Sequence, residues 1–378
     1  MPIIIHTSDA HLGAPLGWLG PRAAEQREEL RRTVSKIVDL VIDQHADALV
    51  VAGDLFHSNN PSAATVRFVL REFSRLTSES RASVILLPGS HDSLGIESVY
   101  TSYRSEFGRL ERVSVLGLDG VDSVVVEHAG LRIHGDPRWN QRLDDNASGL
   151  MPDPEFAFNV AVMHCSADDG ENEDGGPISA GDLPAGDWSY YALGHQRSWH
   201  EVEGTSGPAV YPGSPELVAV EGGGQGHVAR VELRASGAIV TRVRVGARSV
   251  IEARVEVTGA SDSFSISQRV RQQALSNPNA VLRLVLTGLT SAESGIDDGD
   301  LIEELSNDYF FVCPPVRDYH VKVSDQDLAQ LPERLVVGRF ARHMKSRLEE
   351  TESEEERQEI EDALQLGVAL LQGKDVIG

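Results

Sequence analysis

Five short segments of this 378-residue chain carry side chains that can bind a metal or move a proton. They are Asp9-Ala10-His11, Gly53-Asp54, Gly89-Ser90-His91-Asp92, His164 and Gly194-His195-Gln196-Arg197. Carboxylate oxygens and imidazole nitrogens are the donors that suit borderline divalent ions such as Mn2+, Fe2+ or Zn2+. An aspartate between two such ions can bridge them, making a clamp for both oxygens of a phosphoryl displacement. Each segment alone has an ordinary explanation. Asp and Gly after a strand are common turn chemistry, and a lone histidine such as His164 is more often hydrogen-bonded than metal-bound. Five segments of the right residue types, in order, read instead as a metal site.

What must position them is a set of strand ends. Ile3-Ile4-Ile5, Leu49-Val50-Val51-Ala52, Val84-Ile85-Leu86-Leu87, Val160-Ala161-Val162-Met163 and Tyr190-Tyr191-Ala192-Leu193 are buried strands by their apolar, branched or aromatic residues. Each is followed, after at most three residues, by one of the five segments, and open α/β sheets place ligand sites at strand carboxyl ends. Leu30, Val34, Ile37, Val38, Val41 and Ile42 recur at helical spacing between residues 21 and 45. Asn60-Pro61 is expected to cap a second helix with Val66, Val69, Phe73 and Leu76 on its apolar face. Strands alternating with helices make a layered α/β domain. Further on, Val228–Leu233 and Ala238–Val245 read as a hairpin, and the Gly222-Gly223-Gly224 loop before them precedes no helix that could cradle phosphate. An alternating strand at 251–257, a helix near 265–275 and a strand at 281–286 read as a small β-α-β cap, with mostly helical sequence from Ser324 onward.

Composition bounds the rest. Apolar residues make up 40% and charged residues 24%, so the chain is globular, and its length predicts two or three domains. The net charge of −24 argues against a wholly basic, polyanion-binding surface but suits carboxylates that metal ions neutralise. Residues 1–150 hold 15 basic and 20 acidic side chains, 151–250 hold 6 and 14, and 251–378 hold 13 and 24. A polyanion would thus meet the first part most easily. Two cysteines, Cys165 and Cys313, predict a reduced, cytoplasmic protein, and neither a signal peptide nor a membrane span is expected.

The motifs resemble those of the calcineurin-like metallophosphoesterases, D-x-H, GD, GNHD, H and GHxH. Within these the chain looks like the Mre11/SbcD group of DNA-repair nucleases, through Ser8–Gly13, Gly53–His57 with Pro61-Ser62, Pro88–Asp92, Ala192–His195 and Tyr211–Pro215. The resemblance implies a sandwich of mixed β-sheets flanked by helices, with a small α+β capping domain and C-terminal helices. It divides the chain into a nuclease domain (1–247), a cap (248–323) and a helical partner-docking segment (324–378). It further implies two divalent ions, Mn2+ first and Mg2+, Fe2+ or Zn2+ next. Asp9, His11 and Asp54 would hold one ion, and Asp54, His164 and His195 the other. His91 would be the catalytic histidine, oriented by Asp92. The implied activity is hydrolysis of DNA phosphodiesters beside a Rad50/SbcC-like coiled-coil ATPase, with a homodimer left open and no membrane partner.

Two positions depart from the pattern. Ser90 replaces the asparagine of the third motif, and Arg197 replaces the last histidine of the fifth. A guanidinium has no lone pair for a metal and stays charged. One ion position is therefore expected to be weak or empty, with His57 and His200 the nearest spare imidazoles, unless Arg197 grips phosphate itself. The rival expectations are an attenuated or inactive subunit kept as a binding module, and a phosphodiesterase for a small nucleotide. Elsewhere, Arg22, Arg27, Arg31 and Arg32 alternate with Glu25, Glu28 and Glu29, which reads as a solvated helix with internal ion pairs. Trp18 and Trp139 either flank the site or pack, and the acidic run Asp168, Asp169, Glu171, Glu173 and Asp174 reads as a solvated loop.

Overall fold

The computed structural model describes residues 1–135, 150–167, 177–220, 226–290, 294–321, 323, 325–351 and 353–372. Trp139, the acidic run at 168–174 and the Gly222–Gly224 loop lie outside them. The chain divides into two compact units, Met1–Val250 and Ile251–Gly378.

In the first unit the aliphatic runs become strands because they are covered on both faces. β1 (Ile3–Thr7) leads through a short 3-10 turn to α1 (Ala23–Asp43), then β2 (Ala48–Ala52), α2 (Ala63–Glu79) and β3 (Ser83–Leu87). Two short helices, α3 (Val99–Ser102) and α4 (Arg104–Phe107), precede β4 (Val113–Val115). A second group follows: β5 (Ser123–Val126), β6 (Leu131–Gly135), β7 (Phe158–His164), β8 (Tyr190–Gly194), β9 (His200–Val202) and β10 (Ala209–Tyr211). The expected hairpin is β11 (His227–Glu232) with β12 (Ile239–Arg244).

These strands make two six-stranded mixed sheets, ordered β12-β11-β1-β2-β3-β4 and β5-β6-β7-β8-β10-β9. Ile4, Val50, Ile85 and Leu87 of the first pack with Ile133, Val160, Val162, Tyr190 and Ala192 of the second in one buried core. This is the sandwich of mixed β-sheets that the resemblance implies. β1, β2, β3 and β4 run parallel, as do β6, β7 and β8, which gathers the ends of β1, β2, β3, β7 and β8.

The cap of α2 differs from expectation. Ser62, not Asn60, is the N-cap, and its hydroxyl accepts from the Thr65 amide. Pro61 lies just before the helix because Ser62 supplies the acceptor that the first turn needs. Along α1, Arg22–Glu25, Arg31–Glu28 and Arg32–Glu29 form the ion pairs read from the sequence. Trp18 donates its indole N–H to the Val218 carbonyl.

The second unit carries the sheet of β13 (Ser249–Glu256), β14 (Asn277–Thr290), β15 (Tyr309–Val312) and β16 (Val316–Val321), with α5 (Ser263–Gln273) and α6 (Asp298–Leu305). β14 is far longer than the apolar run at 281–286, because β15 pairs its first half and β16 its second. Three helices follow: α7 (Asp325–Gln330), α8 (Val336–Glu350) and α9 (Glu354–Leu371). Leu328, Leu331 and Phe340, in the segment expected to dock a partner, pack with Val337, Met344, Ile360 and Leu364. Leu335 and Val336 stay exposed. Among the described residues no helix is long and apolar enough to cross a membrane.

Candidate metal centre

The loops after β1 and β2 are zipped together before any side chain is considered. The amides of Asp9, His11 and Leu12 donate to the carbonyls of Gly53, Asp54 and Leu55. The His195 amide donates to Asp9 Oδ2 at 3.0 Å, and the His91 amide to Asp54 Oδ1 at 2.8 Å. Asp9, His11, Asp54 and His195 all have positive φ, at 54°, 45°, 52° and 102°. Non-glycine residues adopt such angles at a strain of about 1–3 kcal/mol, and they gather where a fold over-determines a functional loop. Gly53, at φ 91°, passes so close that a Cβ there would lie 2.0 Å from His164 Nδ1. A Cβ on Gly89 would lie 2.1 Å from Asp54 Oδ1.

The side chains converge accordingly. His11 Nε2 lies 3.9 Å from Asp9 Oδ1 and 3.8 Å from Asp54 Oδ2, and these three residues form one group able to hold a cation. On the other side of Asp54, His164 Nε2 is 3.3 Å from Oδ2, and His195 Nδ1 is 3.3 Å from His164 Nε2. Ser90 Oγ donates to Asp54 Oδ2 at 3.2 Å and sits 3.5 Å from His164 Nε2. Asp54 is thus shared between two donor groups.

The electrostatics fit a divalent cation. Asp9 and Asp54 are almost wholly buried, at 1% and 2% exposure. Burial pushes the Asp9 carboxyl up, the direction expected of a carboxylate short of positive charge. Burial opposes charge on His164, yet Asp54 and Asp9 lift its pKa to about 9. Despite burial, His164, then His11 and the His91 amide, hold Asp54 well below the usual carboxylate range. Burial lowers His11 to about 3, leaving the neutral imidazole that a ligand must be. His164 Nδ1 meets the Ala52 carbonyl at 2.9 Å, which fixes the ring orientation and turns Nε2 toward Asp54.

His91 stands beside this cluster, its ring centroid 4.8 Å from that of His11. Its Nδ1 faces the His57 carbonyl at 3.1 Å, and its ring stacks on that of His57. Asp92 makes different bonds from those expected. Its oxygens accept from the amides of Gly89 and Phe56 and from the Tyr100 hydroxyl. It therefore ties the third-motif loop to the second, and the described partner of the His91 ring is the His57 carbonyl. Burial, with Asp54 nearby, raises Asp92 to about 6.

The departures fall where the chemistry is most sensitive. Besides burial, the Arg197 guanidinium is among the positive neighbours that depress His11 and His57, so its charge reaches the Asp9–His11–Asp54 side. Of the two spare imidazoles, His57 comes in: its Nδ1 lies 3.4 Å from His11 Nδ1, and His11, His57 and His91 form a second group able to hold a cation. His200 is exposed at the start of β9, with its ring 6.3 Å from Tyr211. Tyr100 and the carbonyls of Ala52 and His57 were not foreseen. Residue-type patterns do not mark backbone acceptors, and Tyr100 sits in a helix of only four residues.

Residues 3–197 match the model of the calcineurin-like phosphoesterases. The chain belongs to that family. Within it, the chain is 24% identical over 221 residues to the uncharacterized metallophosphoesterase YhaO of Bacillus subtilis, covering 56% of this chain and 52% of that protein. It is 27% identical over 232 residues to the DNA double-strand break repair protein Mre11 of Methanopyrus kandleri, covering 56% and 48%. It is 27% identical over 247 residues to the SbcD component of the SbcCD nuclease of Bacillus subtilis, covering 56% and 61%. The chain thus spans about half the length of the curated relatives it matches.

Proposed function

We propose that this calcineurin-like phosphoesterase is a metal-dependent DNA nuclease subunit of the Mre11/SbcD kind, acting with a Rad50/SbcC-like coiled-coil ATPase. The observation that carries the reading is the placement of an exposed histidine, His91, against a buried two-lobed donor set with Asp54 at its centre. Asp9, His11 and Asp54 would hold one divalent ion, and Asp54, His164 and His195, aided by Ser90, the other. Mn2+ fits this mixed oxygen and nitrogen set. Bound ions would supply Lewis acidity and a more acidic water. The chain's own part follows from the hydrogen bonds. With Nδ1 of His91 occupied by the His57 carbonyl, Nε2 is the nitrogen left to hand a proton to a leaving oxygen. Asp92 keeps the loop carrying His91 locked to the loop carrying Asp54. Residues 1–247 would form the nuclease domain, 248–323 the cap and 324–378 the docking segment.

The test is hydrolysis of a chromogenic phosphodiester and of linear duplex DNA in Mn2+, with metal content measured on the same preparations. Cleavage should be lost in His91→Gln while metal content stays unchanged. A second reading, an attenuated subunit kept for binding, is favoured by one observation: the Arg197 charge bears on His11. Full metal loading without cleavage of either substrate would select that reading.

A further inference from the structure

Residues 227–248 contain Arg230, Arg234, Arg242, Arg244 and Arg248 against the single acid Glu232, in a chain of net charge −24. Three of these arginines are spoken for. Glu232 takes Arg230 and Arg234, and Glu25 takes the buried Arg248. Arg242 and Arg244 have no carboxylate partner among the described residues. Arg242 Nη2 donates to His227 Nδ1 at 3.2 Å, and Arg244 Nε meets the Gly246 carbonyl at 3.4 Å.

Register places them together. His227 lies opposite Arg244, and Ala229 opposite Arg242, so the pleat puts all four on the face that sends Ala229, Val231 and Val240 into the inter-sheet core. β12 and β9 are edge strands of their sheets. The guanidinium of Arg242 lies over the ring of Trp199, 5.3 Å from its centroid, and Trp199 leads into β9 only four residues after His195. Burial, then Arg242 and Arg244, push His227 down to about 4, and the Trp199 indole N–H donates to Glu201 Oε1 at 3.0 Å.

We infer that this side of the sandwich, from Trp199 across Arg242 to Arg244 and His227, is a rim that binds the phosphate backbone of a nucleic-acid strand. The inference rests on the proposed DNA phosphodiesterase reading and says where the polyanion lies beyond the metal centre. Arginines paired with an aromatic plane are the usual means of following a strand whose sequence is not read. The plainer alternative is that charged residues guard an edge strand against pairing, while the arginine stem covers the core. Such a guard is indifferent to phosphate.

The two accounts separate in the salt dependence of binding. The full chain would be titrated with labelled single-stranded and duplex DNA in EDTA, between about 50 and 200 mM salt. Removing two phosphate contacts by Arg242→Gln with Arg244→Gln should lower the slope of log affinity against log salt by about 1.4–1.8. That is about thirtyfold weaker binding near 0.1 M salt. The corresponding Lys pair should keep the slope. An unchanged slope in the Gln pair overturns the rim and leaves the nuclease reading standing, and so does its appearance only as aggregation. Failure of the natural chain to bind DNA also overturns the rim, and hydrolysis of the small diester then reports separately on the phosphoesterase reading.

Discussion

In the proposed centre Asp54 would be the ligand common to both ions, so its replacement should empty both positions. The clean substitution is Asp54→Asn. Asparagine tolerates the residue's positive φ, whereas alanine would add backbone strain to the loss of charge. Metal analysis of Asp54→Asn should show less than one ion per chain with an unchanged far-UV spectrum. Full occupancy would sink the shared-ligand assignment. Arg197 is the opposite case, a charge where the family pattern has a donor. At an effective dielectric of about 20, like charges a few ångströms apart repel by a few kcal/mol, so Arg197→His should tighten the weaker Mn2+ site by roughly tenfold or more. It should also raise DNA cleavage, incompletely while Ser90 remains. Strong cleavage by the natural chain that falls in Arg197→His would instead make the arginine a phosphate grip. His6 gives a pH prediction independent of metal. It is fully buried against the Tyr190 hydroxyl, and burial lowers its pKa from 6.5 to about 3. The unfolded chain then binds a proton that the folded chain refuses, so stability declines as pH falls below about 6.5. Between pH 6.5 and 5 the decline amounts to about 2 kcal/mol. Urea midpoints in His6→Gln should show a correspondingly shallower loss over that interval, and parallel curves would exclude His6 as a source of acid sensitivity.

The loops between strands and helices form one clasp, with little room for side-chain growth where Gly53 and Gly89 pass His164 and Asp54. Gly89→Ala would drive a methyl into Asp54, and overpacking of this kind costs about 1–3 kcal/mol. We expect a lower melting temperature and loss of metal together, whereas unchanged metal affinity would mean that the clasp is looser than its geometry. At this scale the sequence is legible in part. The five long buried strands and both long helices of the first unit announce themselves by unbroken apolar runs and helical spacing. β4, β9 and β10, three residues each, fall below the length at which any period can be read. The strand-end ligands were legible because they follow those runs closely. The partner of the His91 ring was not, since a carbonyl from His57 carries no residue-type mark and Asp92, the adjacent acid, is turned to backbone amides.

Across the whole molecule, acid is concentrated in residues 251–378, where 24 acidic side chains face 13 basic ones, and the rim of the first unit is a local exception. On the proposed reading, removing residues 324–378 should abolish capture of a Rad50/SbcC-like ATPase while sparing hydrolysis of a small diester. Unaltered capture would place the docking surface elsewhere. Exposed Leu366, Leu370 and Leu371 on α9 are the first positions to probe, because Leu328 and Phe340 are already used internally. The left-handed backbone at positions 9, 11, 54 and 195 reaches further still. In a saturation library selected only for folding, with no assay for metal or DNA, those four positions would already favour glycine, asparagine and aspartate over branched residues. Part of the motif that looks like a catalytic signature is therefore a conformational one. A chain retaining it reports first that the turns still close, and only a choice such as aspartate over glycine at position 54 reports on chemistry.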